Sequence, residues 1–143
     1  MKKISNVLFI EDDEITCFLN KSIVEEMQVA ENIQCLDDEE SALAYLKNQC
    51  RNRMAGEEAC PELIFLDLNL PFLNAFEFLE RLENYPEIEV ERLFIVLLTA
   101  SWDARDMEKA KKYHIQGFLN KPLTQEKIQE VVVNFNKSMF ARG

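Results

Sequence analysis

The most constraining feature of this sequence is an alternation of short apolar runs with longer amphipathic stretches. Such alternation is typical of βα units, which build a parallel sheet covered by helices on both faces. The run LFIVLL is continuously apolar, as a fully buried central strand should be. Five pairs can be counted, with predicted strands at 7–10, 33–36, 63–66, 93–98 and 117–119.

Helical periodicity is clearest in the first and last amphipathic stretches, which we expect to pack on the sheet. A third helix is predicted to begin at Asn74, which offers an N-cap with Glu77 three residues on, and to end before Pro86. A fourth, from about Asp103 to His114, is thinly apolar and should be the least anchored. The apolar positions are Ile15, Phe18, Leu19, Ile23 and Met27 in the first helix, and Ile128, Val131, Val132, Phe135 and Met139 in the fifth.

Length and charge limit the possible functions. A chain of 143 residues predicts one compact domain over 1–143, and no output domain is expected after the fifth helix. The formal net charge of −10 repels phosphate backbones and anionic lipids, so we expect neither nucleic acid nor membrane as a partner.

The cysteines and the N-terminus indicate a cytoplasmic protein. Cys17, Cys35, Cys50 and Cys60 form no CxxC pair, so we expect reduced structural thiols. The apolar run near the N-terminus is cut off by four acids, which excludes a secretory signal, and no long apolar stretch follows.

Polar side chains follow four of the five predicted strands. The first ends in Glu11-Asp12-Asp13, the third in Asp67, the fourth in Thr99 and the fifth in Asn120-Lys121-Pro122. Ligands of open parallel sheets bind outside the carboxyl ends of the strands. The sequence therefore predicts one site that combines three carboxylates, a hydroxyl and an ammonium group, and Asp13 is expected instead to favour the N-terminus of the first helix.

Carboxylates gathered at one site need a cation. Two of them 4 Å apart repel by about 4 kcal/mol at an effective dielectric of 20. Oxygen ligands with room for water favour Mg²⁺. Lys121 can then neutralise an incoming phosphoryl group and Thr99 can donate a hydrogen bond to it, which leaves Asp67 as the candidate nucleophile.

Four motifs of the chain, taken together, resemble those of a known family. The ordered motifs FIEDD, LIFLDLNLP, LLTAS and FLNKP, between about Asn6 and Phe135, resemble the receiver domains of two-component response regulators. The resemblance implies a doubly wound α/β fold, with a five-stranded parallel sheet in the flavodoxin-like order 2-1-3-4-5 and five helices.

The resemblance also implies a phosphoacceptor and a metal shell. Asp67 would accept the phosphoryl group and share Mg²⁺ with Asp12. Glu11 would hold the ion through water, and Asn69 through its backbone carbonyl.

A second set implied by the resemblance would sense the phosphoryl group. Thr99 and Lys121 would contact it, Phe118 would be the switch aromatic that moves with Thr99, and the Lys121-Pro122 bond would be cis. The implied partners are a sensor histidine kinase, a histidine phosphotransfer protein or other downstream protein, and a second copy bound through the face from the fourth to the fifth helix. The domain would not be a conventional enzyme, apart from slow autodephosphorylation.

Two positions depart from the family pattern. Ala75 stands where the family usually has Gly, and if that position needed a positive φ, Ala would be strained by about 1 kcal/mol. We expect this replacement to shift the start of the third helix rather than to abolish phosphorylation. Glu11 replaces the commoner Asp but can still reach an ion through water.

Two alternative functions need residues that this chain lacks, and a third stays open. A haloacid-dehalogenase-type phosphatase needs a second Asp two residues after its nucleophile, where this chain has Asn69. A flavodoxin-like nucleotide binder needs a Gly-, Ser- and Thr-rich first loop, where this chain has consecutive acids. A receiver-like interaction module that is never phosphorylated stays open as the alternative.

Overall fold

The structure is a computed structural model that describes residues 3–51, 63–70, 74–101 and 103–142. For residues 49–51 and 139–142 it describes the backbone alone. Five strands and five helices alternate along the chain. The strands are β1 (Ile4–Ile10), β2 (Ala30–Leu36), β3 (Leu63–Asp67), β4 (Phe94–Thr99) and β5 (Gly117–Asn120). The helices are α1 (Glu14–Met27), α2 (Glu39–Arg51), α3 (Ala75–Glu83), α4 (Ala104–Ala110) and α5 (Gln125–Arg142).

The sheet has the predicted topology. All four strand pairings are parallel, in the order β2-β1-β3-β4-β5. The register places Asp67 beside Leu98 and Thr99 beside Asn120, so the last residues of β3, β4 and β5 lie along one edge. The five predicted strands are confirmed, although β1 and β2 each begin three residues earlier than the apolar pattern indicated.

Two apolar layers cover the sheet, one on each face. On one face, Leu8, Ile64 and Leu97 pack with residues of α2 and α3. On the other face, Phe9 and Phe65 stack with ring centroids 4.9 Å apart, above residues of α1 and α5. Every β3 and β4 residue is buried, so these strands form the rigid centre on which the polar strand ends are mounted.

The expectation that all five apolar residues of α1 pack on the sheet is wrong for three of them. Ile15, Phe18 and Leu19 are 69%, 69% and 54% exposed. At about 100° per residue, the five apolar positions spread over roughly half of the helix circumference, which is more than the sheet covers. The residues of α1 that do turn inward are Asn20, Ile23, Val24 and Met27.

The helix caps follow from side chains read in the sequence. The Asn74 side chain accepts from the N–H groups of Phe76 and Glu77, and α3 begins at Ala75, as predicted. Ala75 lies within the helix, and Gln28 is the one residue other than glycine that has positive φ in the described ranges, so Ala75 carries no such strain.

The fourth and fifth helices differ in how firmly they are held. α4 ends at Ala110, four residues before the predicted end, and Ala110 is its one buried residue. The α5 residues Ile128, Val131, Val132 and Phe135 are buried as expected, whereas the side chain of Met139 lies outside the described residues. α4 is therefore the weakly anchored helix that its sparse apolar pattern predicted.

The expectation of reduced thiols is wrong for one pair of cysteines. Cys17 of α1 and Cys35 of β2 form a disulfide with their Cα atoms 6.2 Å apart. A parallel crossover brings the helix back over the strand that follows it, which places two residues 18 apart in sequence within bonding distance. The side chains of Cys50 and Cys60 lie outside the described residues.

Across the described part of the chain, no helix combines the length and the apolar character needed to cross a bilayer.

The same substitution at two helical leucines tests the orientation of α1. Leu46→Ala on α2 removes a fully buried side chain and should lower the free energy of unfolding by about 2–5 kcal/mol. Leu19→Ala on α1 should change it by less than about 0.5 kcal/mol, because Leu19 is mostly exposed. Urea unfolding measures both values, and an equal loss in the two variants would contradict the inferred orientation of α1.

Candidate functional site

The polar strand ends meet where β1, β3 and β4 stop. Glu11 follows β1 directly, and its N–H donates to Leu36 O of β2, which holds the start of the loop in the line of the sheet. Asp67 ends β3 and Thr99 ends β4. Glu11, Asp67 and Thr99 are 4%, 2% and 0% exposed, whereas Asp12 is exposed. The buried apolar strands thus place two carboxyl groups and a hydroxyl group at the edge of the apolar core.

The three predicted acids do come together. Glu11, Asp12 and Asp67 each offer a carboxylate oxygen, and these oxygens all lie within 4.8 Å of one another. Glu11 Oε2 is buried and accepts no hydrogen bond from the residues that the structure describes, although Lys121 Nζ lies 3.7 Å from it. A buried carboxylate oxygen without a donor, beside two further acids, matches the oxygen-rich surroundings of a hard divalent cation.

Asp13 lies outside this cluster. Its side chain caps α1 by accepting from the N–H of Thr16 at 3.2 Å and from the Thr16 hydroxyl at 2.5 Å. These hydrogen bonds hold the pKa of the Asp13 carboxyl below its ordinary value. Asp13 therefore fixes where α1 begins, as its position predicted, and so fixes the geometry of the two acids before it.

The Glu11 carboxyl has a strongly shifted pKa. The pKa is raised to about 8, first by burial and then by the hydrogen bond and the charge of the neighbouring Asp67. The N–H of Asp13 and the charge of Lys121 act in the opposite direction. In the protein without a cation, Glu11 therefore binds a proton near neutral pH, which shows that a single lysine does not balance the cluster.

Lys121 follows the edge strand β5, and its side chain extends past the end of β4 to the acidic cluster. Its Nζ lies 2.5 Å from Asp67 Oδ2, and its side chain is 25% exposed. The cis bond between Lys121 and Pro122, as implied by the family resemblance, turns the chain directly after this residue. Asp67 Oδ1 accepts from the N–H of Asn69 at 2.9 Å, so both carboxylate oxygens of Asp67 accept a hydrogen bond.

Thr99 is held by groups outside the acidic cluster. Its hydroxyl lies 2.7 Å from the carbonyl oxygen of Ser101 and 3.1 Å from Oδ1 of Asn69. Its oxygen accepts from the N–H of Ser101 at 3.2 Å. The hydroxyl hydrogen is therefore shared between two acceptors, neither of which is Asp67.

Phe118 lies on the same face of the sheet as Thr99, on the neighbouring strand. It pairs in register with Leu97, two residues before Thr99, and side chains two residues apart project from the same face of a strand. Phe118 is partly buried against the apolar layer on the α2 and α3 face of the sheet. The residue predicted as the switch aromatic thus shares a sheet face with the predicted switch threonine.

The structure therefore brings together Glu11, Asp12, Asp67 and Lys121, and it places Thr99 and Phe118 at the adjoining strand ends. The sequence reasoning missed the side-chain contacts of Asn69, which bridge β3 and β4. An amide side chain two residues after a strand-end acid was the available signal, but an Asn in a turn more often bonds to its own backbone.

Comparison with known proteins agrees with this geometry. The family model described as the response regulator receiver domain matches residues 7–133. A probable methanogenesis regulatory protein, FilR2 of Methanothrix harundinacea, is 28% identical over 139 residues, which cover 92% of this chain and 86% of that protein. The response regulator Rcp1 of Synechocystis is 27% identical over 115 residues, or 80% of this chain and 75% of that one.

Solved structures show the same architecture. The crystal structure of a two-component response regulator from Cytophaga hutchinsonii superposes with a TM-score of 0.82 at 27% identity, covering 95% of this chain and 99% of that chain. The family match spans most of the chain, including every motif of the site. The chain belongs to the family of response regulator receiver domains.

Proposed function

We propose that Asp67 accepts a phosphoryl group from a phosphohistidine of a sensor histidine kinase, and that the change at Asp67 is transmitted to a protein-binding face. The observation that carries this proposal is the buried Asp67 carboxylate, held by Lys121 and grouped with Glu11 and Asp12. The matched family is a signalling module rather than a conventional enzyme.

The chemistry is a group transfer between two side chains. A carboxylate oxygen of Asp67 attacks the phosphorus of the phosphohistidine, a P–O bond forms and the P–N bond breaks. The imidazole leaves with a proton taken from solvent. The Nζ of Lys121 is already within hydrogen-bond distance of Asp67 and would pair with a phosphoryl oxygen, which offsets charge that develops in the transfer.

The acidic cluster fits Mg²⁺. Glu11, Asp12, Asp67 and the backbone carbonyl of Asn69 are the proposed ligands, with Glu11 acting through water. When bound, the ion would neutralise phosphoryl oxygens and lower the repulsion between the carboxylates. The orphaned Oε2 of Glu11 and the raised pKa of its carboxyl support this assignment, because both are signs of a carboxylate that lacks a cation.

The donor protein must cover the opening of the site. The apolar residues Ile15, Phe18 and Leu19 lie on the exposed side of α1, whose first turn follows the acidic loop directly. The nearby acids Asp12 and Glu14 are also exposed. We propose that the kinase domain that bears the phosphohistidine packs on this side of α1 through apolar side chains with a basic rim.

The output surface is proposed on the other side of the site, along α4, β5 and α5. Phosphorylation adds about −1.5 to −2 charges and three acceptor oxygens, which would draw the Thr99 hydroxyl towards Asp67. Phe118 could then turn inward, with no polar group of its own to desolvate. This face would bind a phosphotransfer protein, another downstream protein or a second copy of the chain.

Covalent modification is the direct test of the phosphoacceptor. With acetyl phosphate and a magnesium salt, the native chain should gain one phosphoryl mass, and Asp67→Asn should gain none, because an amide oxygen is a far weaker nucleophile. Asp37→Asn, the same change at an exposed acid outside the site, is the matched control and should be modified like the native chain. Full modification of the Asp67→Asn chain would exclude Asp67.

The raised pKa of Glu11 predicts an unusual pH dependence. A carboxyl whose pKa is higher in the folded chain stabilises the fold most at low pH, and this contribution is lost as the pH rises from about 4.5 to about 8. In EDTA, the melting temperature should therefore fall by several degrees between pH 5 and pH 8. Glu11→Gln should flatten this slope, since the amide does not titrate.

Mg²⁺ should oppose this loss of stability at high pH. The ion binds the deprotonated cluster of the folded state alone, so millimolar Mg²⁺ at constant ionic strength should raise the melting temperature more at pH 8 than at pH 5. An equal rise at both values would disprove the linkage between Glu11 and the metal.

The proposed switch predicts a coupled response of residues 100–120. Beryllofluoride, a phosphoryl mimic, should change amide exchange across this region in the native chain, and Thr99→Ala should remove most of the change. The control is the response of residues near Asp67 itself, which should persist in Thr99→Ala if the mimic still binds. Equal responses at residues 100–120 in both proteins would rule out coupling through Thr99.

A further inference from the structure

Asn69 has a side chain that the proposed function does not use. The residue is exposed, yet its Oδ1 accepts two hydrogen bonds from the end of the neighbouring strand. One comes from the N–H of Ala100 at 2.9 Å and the other from the Thr99 hydroxyl at 3.1 Å. Although Asn69 is exposed and could bond to water, its amide oxygen bonds to Thr99 and Ala100. These two hydrogen bonds restrain the Asn69 side chain and the end of β4 relative to each other.

The amide orientation is fixed by chemistry. The backbone N–H of Ala100 can only donate, so the atom of Asn69 that faces it must be the oxygen. The same oxygen is then the acceptor presented to the Thr99 hydroxyl. Two donors thus converge on one amide oxygen.

The backbone of Asn69 ties this oxygen to Asp67. The N–H of Asn69 donates to Asp67 Oδ1 at 2.9 Å, so one tight turn holds both the carboxylate and the amide that follows it. Asp67 also pairs in register with Leu98, one residue before Thr99, so a phosphoryl oxygen carried by Asp67 would be a second acceptor beside the donors at the end of β4. A phosphoryl oxygen carries more negative charge and makes the stronger hydrogen bonds.

We propose that the Asn69 side chain is an internal stand-in for a phosphoryl oxygen, which holds the Thr99 hydroxyl and the Ala100 N–H until modification of Asp67 displaces it. This inference rests on the proposed phosphorylation of Asp67. Asn69 is then a positioning residue, because it occupies the two donors that the proposal assigns to the phosphoryl group of the modified state. The contact with Asn69 is then the removable one of the two hydrogen bonds offered to the switch threonine, the other being that to the Ser101 carbonyl oxygen.

Removal of the amide should leave the fold intact. In Asn69→Ala, the Thr99 hydroxyl keeps the carbonyl oxygen of Ser101, 2.7 Å away, as its acceptor. The N–H of Ala100, an exposed residue, is left to water. The substitution therefore removes competition for the donors without leaving a buried group unpaired.

Equilibrium binding of beryllofluoride at saturating Mg²⁺ tests the proposal. The Asn69→Ala chain should bind the mimic about 2- to 10-fold more tightly than the native chain, the range that one or two net hydrogen bonds provide. Asn32→Ala removes another exposed Asn, far from the site on β2, and should bind like the native chain. In a Thr99→Ala background, the gain from Asn69→Ala should shrink, because one of the two contested donors is gone.

Amide exchange at Ala100 provides a readout that a merely structural role would not move. In the native chain, the Ala100 N–H should be protected both before and after beryllofluoride is added, first by Asn69 and then by the mimic. In Asn69→Ala it should be protected only after addition. Unchanged or weaker binding by Asn69→Ala, or a gain of the same size with and without Thr99, would overturn the stand-in role. Failure of the native chain to bind the mimic or to be phosphorylated would instead overturn the proposed function, and this inference with it.

Discussion

The whole site depends on the repulsion between carboxylates that a parallel sheet forces together. Glu11 and Asp67 are buried at the ends of adjacent strands with Asp12 beside them, and among the described residues Lys121 brings the one ammonium group within reach. Such a cluster is unstable as a set of free anions, so it takes up a proton, a cation or both. The raised pKa of Glu11 is the sign of this imbalance. The tendency of the cluster to bind a proton or a cation thus results from where the strands end. The apolar strands keep the three acids from moving apart.

The parts of the fold that the sequence predicted are those governed by strong local patterns. The continuous run of 93–98 could only be a central strand, and the Asn74 cap set the start of α3 because a side-chain oxygen there satisfies free N–H groups. The acids after β1 and β3 were predicted to meet because the carboxyl ends of parallel strands share an edge. Site prediction therefore needed only the strand assignments and the order of the motifs.

The features that the sequence did not reveal depend on tertiary geometry. The apolar arc of α1 is wider than the surface that the sheet offers, and periodicity alone does not tell which edge of the arc stays in water. The pairing of Cys17 with Cys35 depends on how far the crossover brings α1 over β2. The contact of Asn69 with Thr99 joins residues 30 apart, and neither residue type indicates the other.

Because of the disulfide between α1 and β2, the two sides of the site are anchored to different degrees. On the β1 side, the helix that leaves the acidic loop is covalently fastened to the edge strand. On the β4 side, the chain leads into a helix of seven residues with a single buried alanine, and hydrogen bonds hold the strand end. On the proposed function, a change at Asp67 would therefore displace the weakly anchored β4 side more than the disulfide-linked β1 side. In the proposed function, the direction of signalling would then depend on this difference in anchoring as well as on the chemistry at Asp67.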